Sequence, residues 1–347
     1  MRYEVVLNDV EYNYIVENKL YNQEGQAEFL RDKQIDFPAN DGTTRHGAIE
    51  VKFAWKEIGP NDIRSHFFVR TGTVMNQDTG KFEPRELALV GMHIAMRTHS
   101  SPTWIWSTFE HVDNVRVKEP ELVVDGRLVQ HRPSFYNPDL PTEVPNMLPA
   151  PNVPAANPTG WSEALTTTPV QVVRVIPIDP STETLNTAVQ SLLAREGSVF
   201  QYYELIGTQW PSRPAAPAIP GGEGSAPESI IRKTTGEVLP VYLTNMTMET
   251  YFQKGVQPAG PLEQDDRLAP GMSPDKTPVF GTESCVGCHY SAGATIGFRT
   301  LPNGQFRRDD QGRKIPILGE NANFGLNGNA NYSWLLQIEA RSTADPN

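Results

Sequence analysis

Near its C-terminal end the chain carries Ser284-Cys285-Val286-Gly287-Cys288-His289, and Cys285 and Cys288 are its only cysteines in 347 residues. Two thiols three residues apart, with an imidazole on the next residue, limit what can form around them. If the segment winds as a helical turn, positions three and four apart share one face, so both sulfurs and the His289 ring converge on one side. Val286 and Gly287 are then small spacers. Such a turn lets two thiols reach the vinyl groups of a porphyrin while the imidazole reaches its iron. Cys-x-x-Cys-His is the form of a c-type haem attachment site. Three other readings compete. A thioredoxin-like redox pair asks for a βαβ context, whereas Ser273 to Pro278 ahead of the motif is loop-like. A structural zinc site usually takes four ligands, and three are present in sequence. A plain disulfide leaves His289 unexplained.

No methionine and no other histidine follows His289. A soft or imidazole sixth iron ligand must therefore come from upstream, which separates this chain from small cytochromes that place a methionine after the motif. The candidates are Met246 and Met248, on a short helix expected from Met246 to Lys254 behind an Asn245 cap, then Met272 in a loop, and His93 and His111. Methionine ligation raises the potential and suits electron transfer, while an open iron permits ligand binding or catalysis.

A second constellation lies at residues 102–114, where aromatic, acidic and imidazole groups crowd together. Strand alternation puts Trp104, Trp106, Thr108 and Glu110 on one face and Ile105, Phe109 and His111 on the other. Read as one wall of a haem pocket, Trp106 or Phe109 packs on the porphyrin, and Glu110 or His111 serves as ligand, propionate partner or proton carrier. Read as structure, the segment is a central strand with a polar end. Lys52 and Lys56 flank Trp55 as solvated side chains.

The rest of the chain sets the frame. Residues 1–131 read as β structure, with runs at Val5 to Leu7, Tyr12 to Val16, Ala48 to Trp55, Phe67 to Arg70 and Glu86 to Met96, and a hairpin about Asp125-Gly126. Ile49, Val51 and Phe53 share the apolar face of one strand. Residues 132–160 hold eight prolines and read as a long loop or linker. Thr168 to Ile178 returns to strand. A helix then starts at Asp179-Pro180, with an apolar stripe at Leu185, Ala188, Val189, Leu192 and Leu193, and ends at Gly197. A Pro/Gly-rich connection at 211–229 leads into the motif region, where a hairpin excursion spans Phe298 to Ile317 and a last helix runs from Tyr332 to Ile338. The expected fold class is α+β: a β-rich domain at 1–131, Pro-rich connections with strand and helix at 132–229, and a mostly helical and loop haem c region at 230–347.

The net charge is −11, which excludes a nucleic-acid surface and suits docking with a basic redox partner protein. No apolar run approaches the length of a membrane span. Covalent haem attachment takes place outside the bacterial cytoplasm, so a periplasmic or extracellular location is expected. Met1 to Leu7 has no signal-peptide core, which implies a processed or truncated chain.

Trp106-Ser107-Thr108-Phe109-Glu110-His111 together with the late Ser284-to-His289 motif resembles a group of large exported bacterial monohaem c-type cytochromes. The resemblance covers about half the chain, and it implies Cys285 and Cys288 as haem attachment sites and His289 as proximal ligand. The layout is also similar to the shorter c′-β cytochromes, in which the motif follows a β-rich body. The function expected is single-electron transfer through one covalent haem c. The alternatives are a haem enzyme or small-ligand sensor using Glu110 or His111 over an open iron, and a structural role in which the haem staples the fold.

Overall fold

The structure, a computed structural model, describes residues 1–76, 79–101, 104–118, 120–137, 139, 172–174, 177–211, 238–239, 243–249, 285, 289, 292–319 and 330–342. Met272, Cys288, nearly all of the Pro-rich 138–171 and 212–237 segments and most of the expected strand at 168–178 lie outside these residues.

The centre is a seven-stranded sheet in the order β1 (Arg2–Leu7), β2 (Ile49–Glu57), β4 (Phe82–Arg97), β5 (Trp104–His111), β8 (Tyr203–Pro211) and β9 (Val238–Leu239), with β3 (Val69–Met75) also on β4. Every pair is antiparallel. β4 is sixteen residues long because it serves three neighbours. β2 occupies one edge at Leu87–Met96, while β3 and β5 share the other, at Phe82–Ala88 and Gly91–Arg97. Its apolar run Leu87 to Val90 is buried, as a central strand covered on both faces requires. The sheet takes strands from all three expected segments, so it crosses both expected boundaries.

Between β1 and β2 come α1 (Asp9–Glu17) and α2 (Gln23–Phe29). The Tyr12-to-Val16 run forms the middle of α1 and not a strand. Its alternation imitates a strand, but Asn8 caps the helix by accepting from the Glu11 N–H, a stronger local signal. β6 (Glu121–Val124) and β7 (Arg127–Gln130) form the hairpin expected from Asp125-Gly126; both turn residues have φ near +50 to +76°, as a type I′ turn demands. α3 (Pro180–Arg195) starts at Asp179, whose carboxylate accepts from the Ser181 N–H, and Gly197 follows its end at φ 64°. Its expected apolar stripe does not face the core: Leu185, Val189 and Leu192 are exposed. Asn186 and Gln190 face β8 instead. Asn186 exchanges two hydrogen bonds with the Leu205 backbone, and Gln190 donates to Tyr203 O. β9 covers only Trp210 and Pro211, so side-chain amides satisfy the remaining edge of β8.

The fold class expected for the C-terminal third is corrected. Its described residues are not mostly helical: besides helical backbone at Cys285 and His289 they hold β9, β10 (Thr295–Phe298), β11 (Pro316–Leu318) and the four-residue α4 (Leu335–Ile338). The excursion between β10 and β11 is a β arm, with further bridges Thr300–Phe306 and Arg308–Lys314. Met246 to Met248 form a turn in which Asn245 Oδ1 accepts from both the N–H and the hydroxyl of Thr247; residues 250–254 of the helix expected there lie outside the described residues. The molecule is antiparallel and β-rich. Buried Gln26 joins its two ends: its Nε2 donates to Leu20 O and Leu336 O, and its Oε1 accepts from the Thr295 N–H.

Candidate functional site

Directly opposed residues in an antiparallel sheet share a face, and faces alternate along each strand. Val5 opposes Lys52, Lys52 opposes His93, and His93 opposes Thr108. One row along, Glu50 opposes Ala95, which opposes Trp106. With Tyr3, these side chains other than Thr108 make a floor drawn from β1, β2, β4 and β5. Above it lies a cavity of about 520 Å³, walled by Cys285, His289, Leu243 and Glu249 and by Trp334, Leu335, Ile338 and Glu339 at α4. The volume lies within the range of roughly 300–1,000 Å³ usual for cofactor and small-molecule sites.

Cys285 and His289 both have helical backbone, as the motif's spacing requires if the two side chains are to share a face. Cys285 is buried. His289 Nδ1 lies 2.7 Å from Tyr332 O. A carbonyl only accepts, so the proton is on Nδ1 and the lone pair is on Nε2. Burial pushes the ring's pKa down to about 4, so the imidazole is neutral at physiological pH. A neutral imidazole with Nδ1–H on a backbone carbonyl is the form in which histidine ligates a metal.

The carbonyl that fixes His289 belongs to an unusual turn. Asn331 and Tyr332 both have left-handed backbone, at φ 48° and 68°. For tyrosine that conformation costs on the order of 1 kcal/mol, and neighbouring contacts hold it. Trp104 Nε1 donates to Asn331 O at 2.8 Å, Ser333 Oγ donates to Glu50 at 3.2 Å, and the Tyr332 ring packs edge-on against Trp106 at 5.6 Å. Trp106 also lies 5.9 Å from the His289 ring. The two tryptophans of β5 thus set the turn and the His289 ring together.

Ionisable groups gather at the floor. His93 Nε2 is 3.4 Å from Glu249 Oε2. Burial pushes the Glu249 carboxyl up, but His93 and the Asn245 N–H outweigh it and hold the group below its ordinary value. Burial raises Glu50 against its hydrogen bond from Ser333. Lys52 Nζ sits 5.0 Å over the Tyr3 ring, and the half-buried Lys52 lines the cavity. Gly91 allows the Asn245–Thr247 turn to lie on the sheet: a Cβ there would meet Thr247 Oγ1 at 2.1 Å.

The other sequence candidates are elsewhere. Glu110 is buried outside the cavity lining, accepting from the Met246 N–H at 2.7 Å and from Arg174 at 2.5 Å. His111 stacks on Phe67 at 3.9 Å and donates from Nε2 to His66 O at 3.0 Å. Phe109 lies on the opposite sheet face from Trp106 by alternation. Met246 is buried, Met248 packs against the Ala54, Phe67, Ala88 and Val90 cluster, and neither lines the cavity. Of the described sixth-ligand candidates only His93 does. Sequence reasoning missed Tyr3, Glu50, Glu249 and α4 as cavity residues. The alternation of Glu50 and Lys52 was the available signal, but on a strand with Ile49, Val51 and Phe53 opposite them it reads as a solvent face.

The expected redox partner protein is corrected too. Among the described residues the negative charge does not gather at the cavity mouth: the exposed ones lining it are Tyr3, Val5, Ile338 and one carboxylate, Glu339, 3.8 Å from Arg341. What the described residues establish is that no helix is long and apolar enough to cross a membrane. A scan against protein-family models and searches of the curated proteins and of the solved structures find no match to this chain.

Proposed function

We propose that this chain is an exported c-type haem protein performing one-electron redox chemistry, with the porphyrin attached through Cys285 and Cys288 and its iron bound by His289. The observation that supports this reading is the hydrogen bond from His289 Nδ1 to Tyr332 O, which leaves the lone pair on Nε2 of a neutral ring that lines the same cavity as Cys285. Haem held there would supply an Fe(III)/Fe(II) couple. The residues of the chain do the remainder. Trp106 and Tyr332 orient the His289 ring, the apolar walls at Leu243, Leu335 and Ile338 exclude water, and Glu50 and Glu249 set the local field.

A second reading, a haem enzyme or small-ligand sensor, is favoured by one specific feature. No methionine is among the described lining residues, whereas His93, Glu249, Lys52 and Glu50 are, a set able to hold and move protons beside a bound ligand. The absorption spectrum of the natively exported protein tests both. A low-spin spectrum unchanged by CO supports electron passage alone, and a high-spin spectrum that shifts with CO supports ligand chemistry. Absence of a haem spectrum overturns both.

A further inference from the structure

At the other end of β5 from Trp106, roughly 17 Å along the strand at about 3.3 Å per residue, three side chains from distant parts of the sequence meet. His66 ends a 3₁₀ turn (Arg64–His66), Asp113 lies just past β5, and His131 just past β7. Asp113 Oδ2 is 3.0 Å from His131 Nε2 and 3.4 Å from His66 Nδ1. The three donor atoms all lie within 4.8 Å of one another. We infer that His66, Asp113 and His131 form a binding site for one divalent first-row transition ion, separate from the haem cavity.

The spacing fits. Ligand bonds of about 2.0–2.2 Å at tetrahedral angles put donors roughly 3.3–3.5 Å apart, close to the two separations at Asp113. Two imidazoles and one carboxylate suit zinc or iron(II) and leave positions open for water or a small molecule. Calcium and magnesium prefer all-oxygen sites.

The surroundings are built to hold these donors. His111 donates from Nε2 to His66 O and accepts from the Asp113 N–H at Nδ1, 3.1 Å away. One buried ring therefore ties the backbones of two donor residues, which gives His111 a positioning role. The Ser134 N–H donates to Asp113 O, and the His131 N–H to Pro120 O. The His66 ring stacks on Tyr202 at 4.0 Å. Asp113 and His131 are nearly fully buried, and His66 is the most accessible of the three, with 17% of its side chain exposed. Buried Nδ1 of His131 has no hydrogen-bond partner, so Nε2, aimed at Asp113, carries that ring's polar function.

The site uses none of the haem residues, so its test is independent of the proposed function. Tag-free full-length protein, stripped with a chelator that leaves covalent haem in place, is titrated calorimetrically with Zn²⁺ and with Co²⁺. The expected result is one equivalent bound at micromolar or tighter affinity and a raised melting temperature. The affinity should fall at least about 100-fold in His66→Ala/His131→Ala and about 10-fold in a His111→Phe variant that keeps the donors. Absence of saturable binding by the wild-type protein overturns the inference whatever the variants do. So does unchanged affinity in a folded His66→Ala/His131→Ala protein.

Discussion

The carbonyl oxygen of Tyr332, a residue with left-handed backbone, accepts a 2.7 Å hydrogen bond from Nδ1 of His289. The chain closes its C-terminal segment over the sheet in a strained turn, and that turn fixes the tautomer of the one histidine adjoining the cysteine pair. Strain of this kind persists only where surroundings over-determine it; here the Trp104 indole and the Glu50–Ser333 bond do so.

Gly91 is the first place to disturb this arrangement from behind. Gly91→Ala would drive Thr247 and Asn245 away from β4 and shift Leu243 and Glu249 at the cavity wall. A loss of about 1–3 kcal/mol in stability is expected, as for an overpacked core, together with an altered cavity spectrum when haem is bound. Urea unfolding reads the first and absorption the second. Unchanged stability would show that the turn does not rest on the strand.

Glu11 governs a pH dependence. Its side chain is fully buried, both carboxylate oxygens lack hydrogen-bond partners, and burial with nearby Glu50 pushes its pKa up to about 9. Between about pH 4.5 and 9 the folded chain therefore keeps a proton that the unfolded chain releases. The stabilisation is fully present below the unfolded value and is lost as pH rises through the folded one, at up to about 1.4 kcal/mol per pH unit. Melting temperature is expected to fall from pH 6 to pH 9, and Glu11→Gln to flatten that fall. An equally steep fall in the variant would exclude Glu11 as its cause.

Glu110→Ala should cost about 3–5 kcal/mol, because it leaves the Arg174 guanidinium and the Met246 N–H without their acceptor in a buried setting. Chemical denaturation measures it. A variant of wild-type stability with altered haem reactivity would instead return Glu110 to the cavity chemistry expected from its sequence neighbourhood.

His93→Leu separates the two functional readings. If His93 is an iron ligand, the variant's haem gains affinity for CO or cyanide. If His93 instead donates a hydrogen bond to a bound ligand, the variant's haem loses affinity for cyanide. Ligand titration monitored by absorption distinguishes these outcomes.

Much of the sheet was legible. The apolar run of β4, the aromatic alternation of β5, the Asp125-Gly126 hairpin and the Asp179-Pro180 helix start each carry a local signal strong enough to survive tertiary context. The Tyr12-to-Val16 run did not, because a cap at Asn8 outweighs an accidental period of two. The α3 stripe was misread because the open edge of β8 needs hydrogen bonds, which Asn186 and Gln190 supply and leucine cannot. At the site, the nearness of Cys285 and His289 and the inward face of Trp106 were readable, since each follows from spacing along one segment. Tyr3, Glu50, Lys52 and Glu249 were not, because their meeting depends on the register of four strands and on a turn seated against Gly91. Pairing of His66 with Asp113 and His131 was hidden for the same reason.

The most direct measurement is the intact mass of the chain after export in a host that attaches haem c. One haem added to the polypeptide mass, absent when Cys285 and Cys288 are both replaced by alanine, is the predicted result. A folded wild-type protein, exported beside a haem-loaded control, whose mass is that of the polypeptide alone would contradict it.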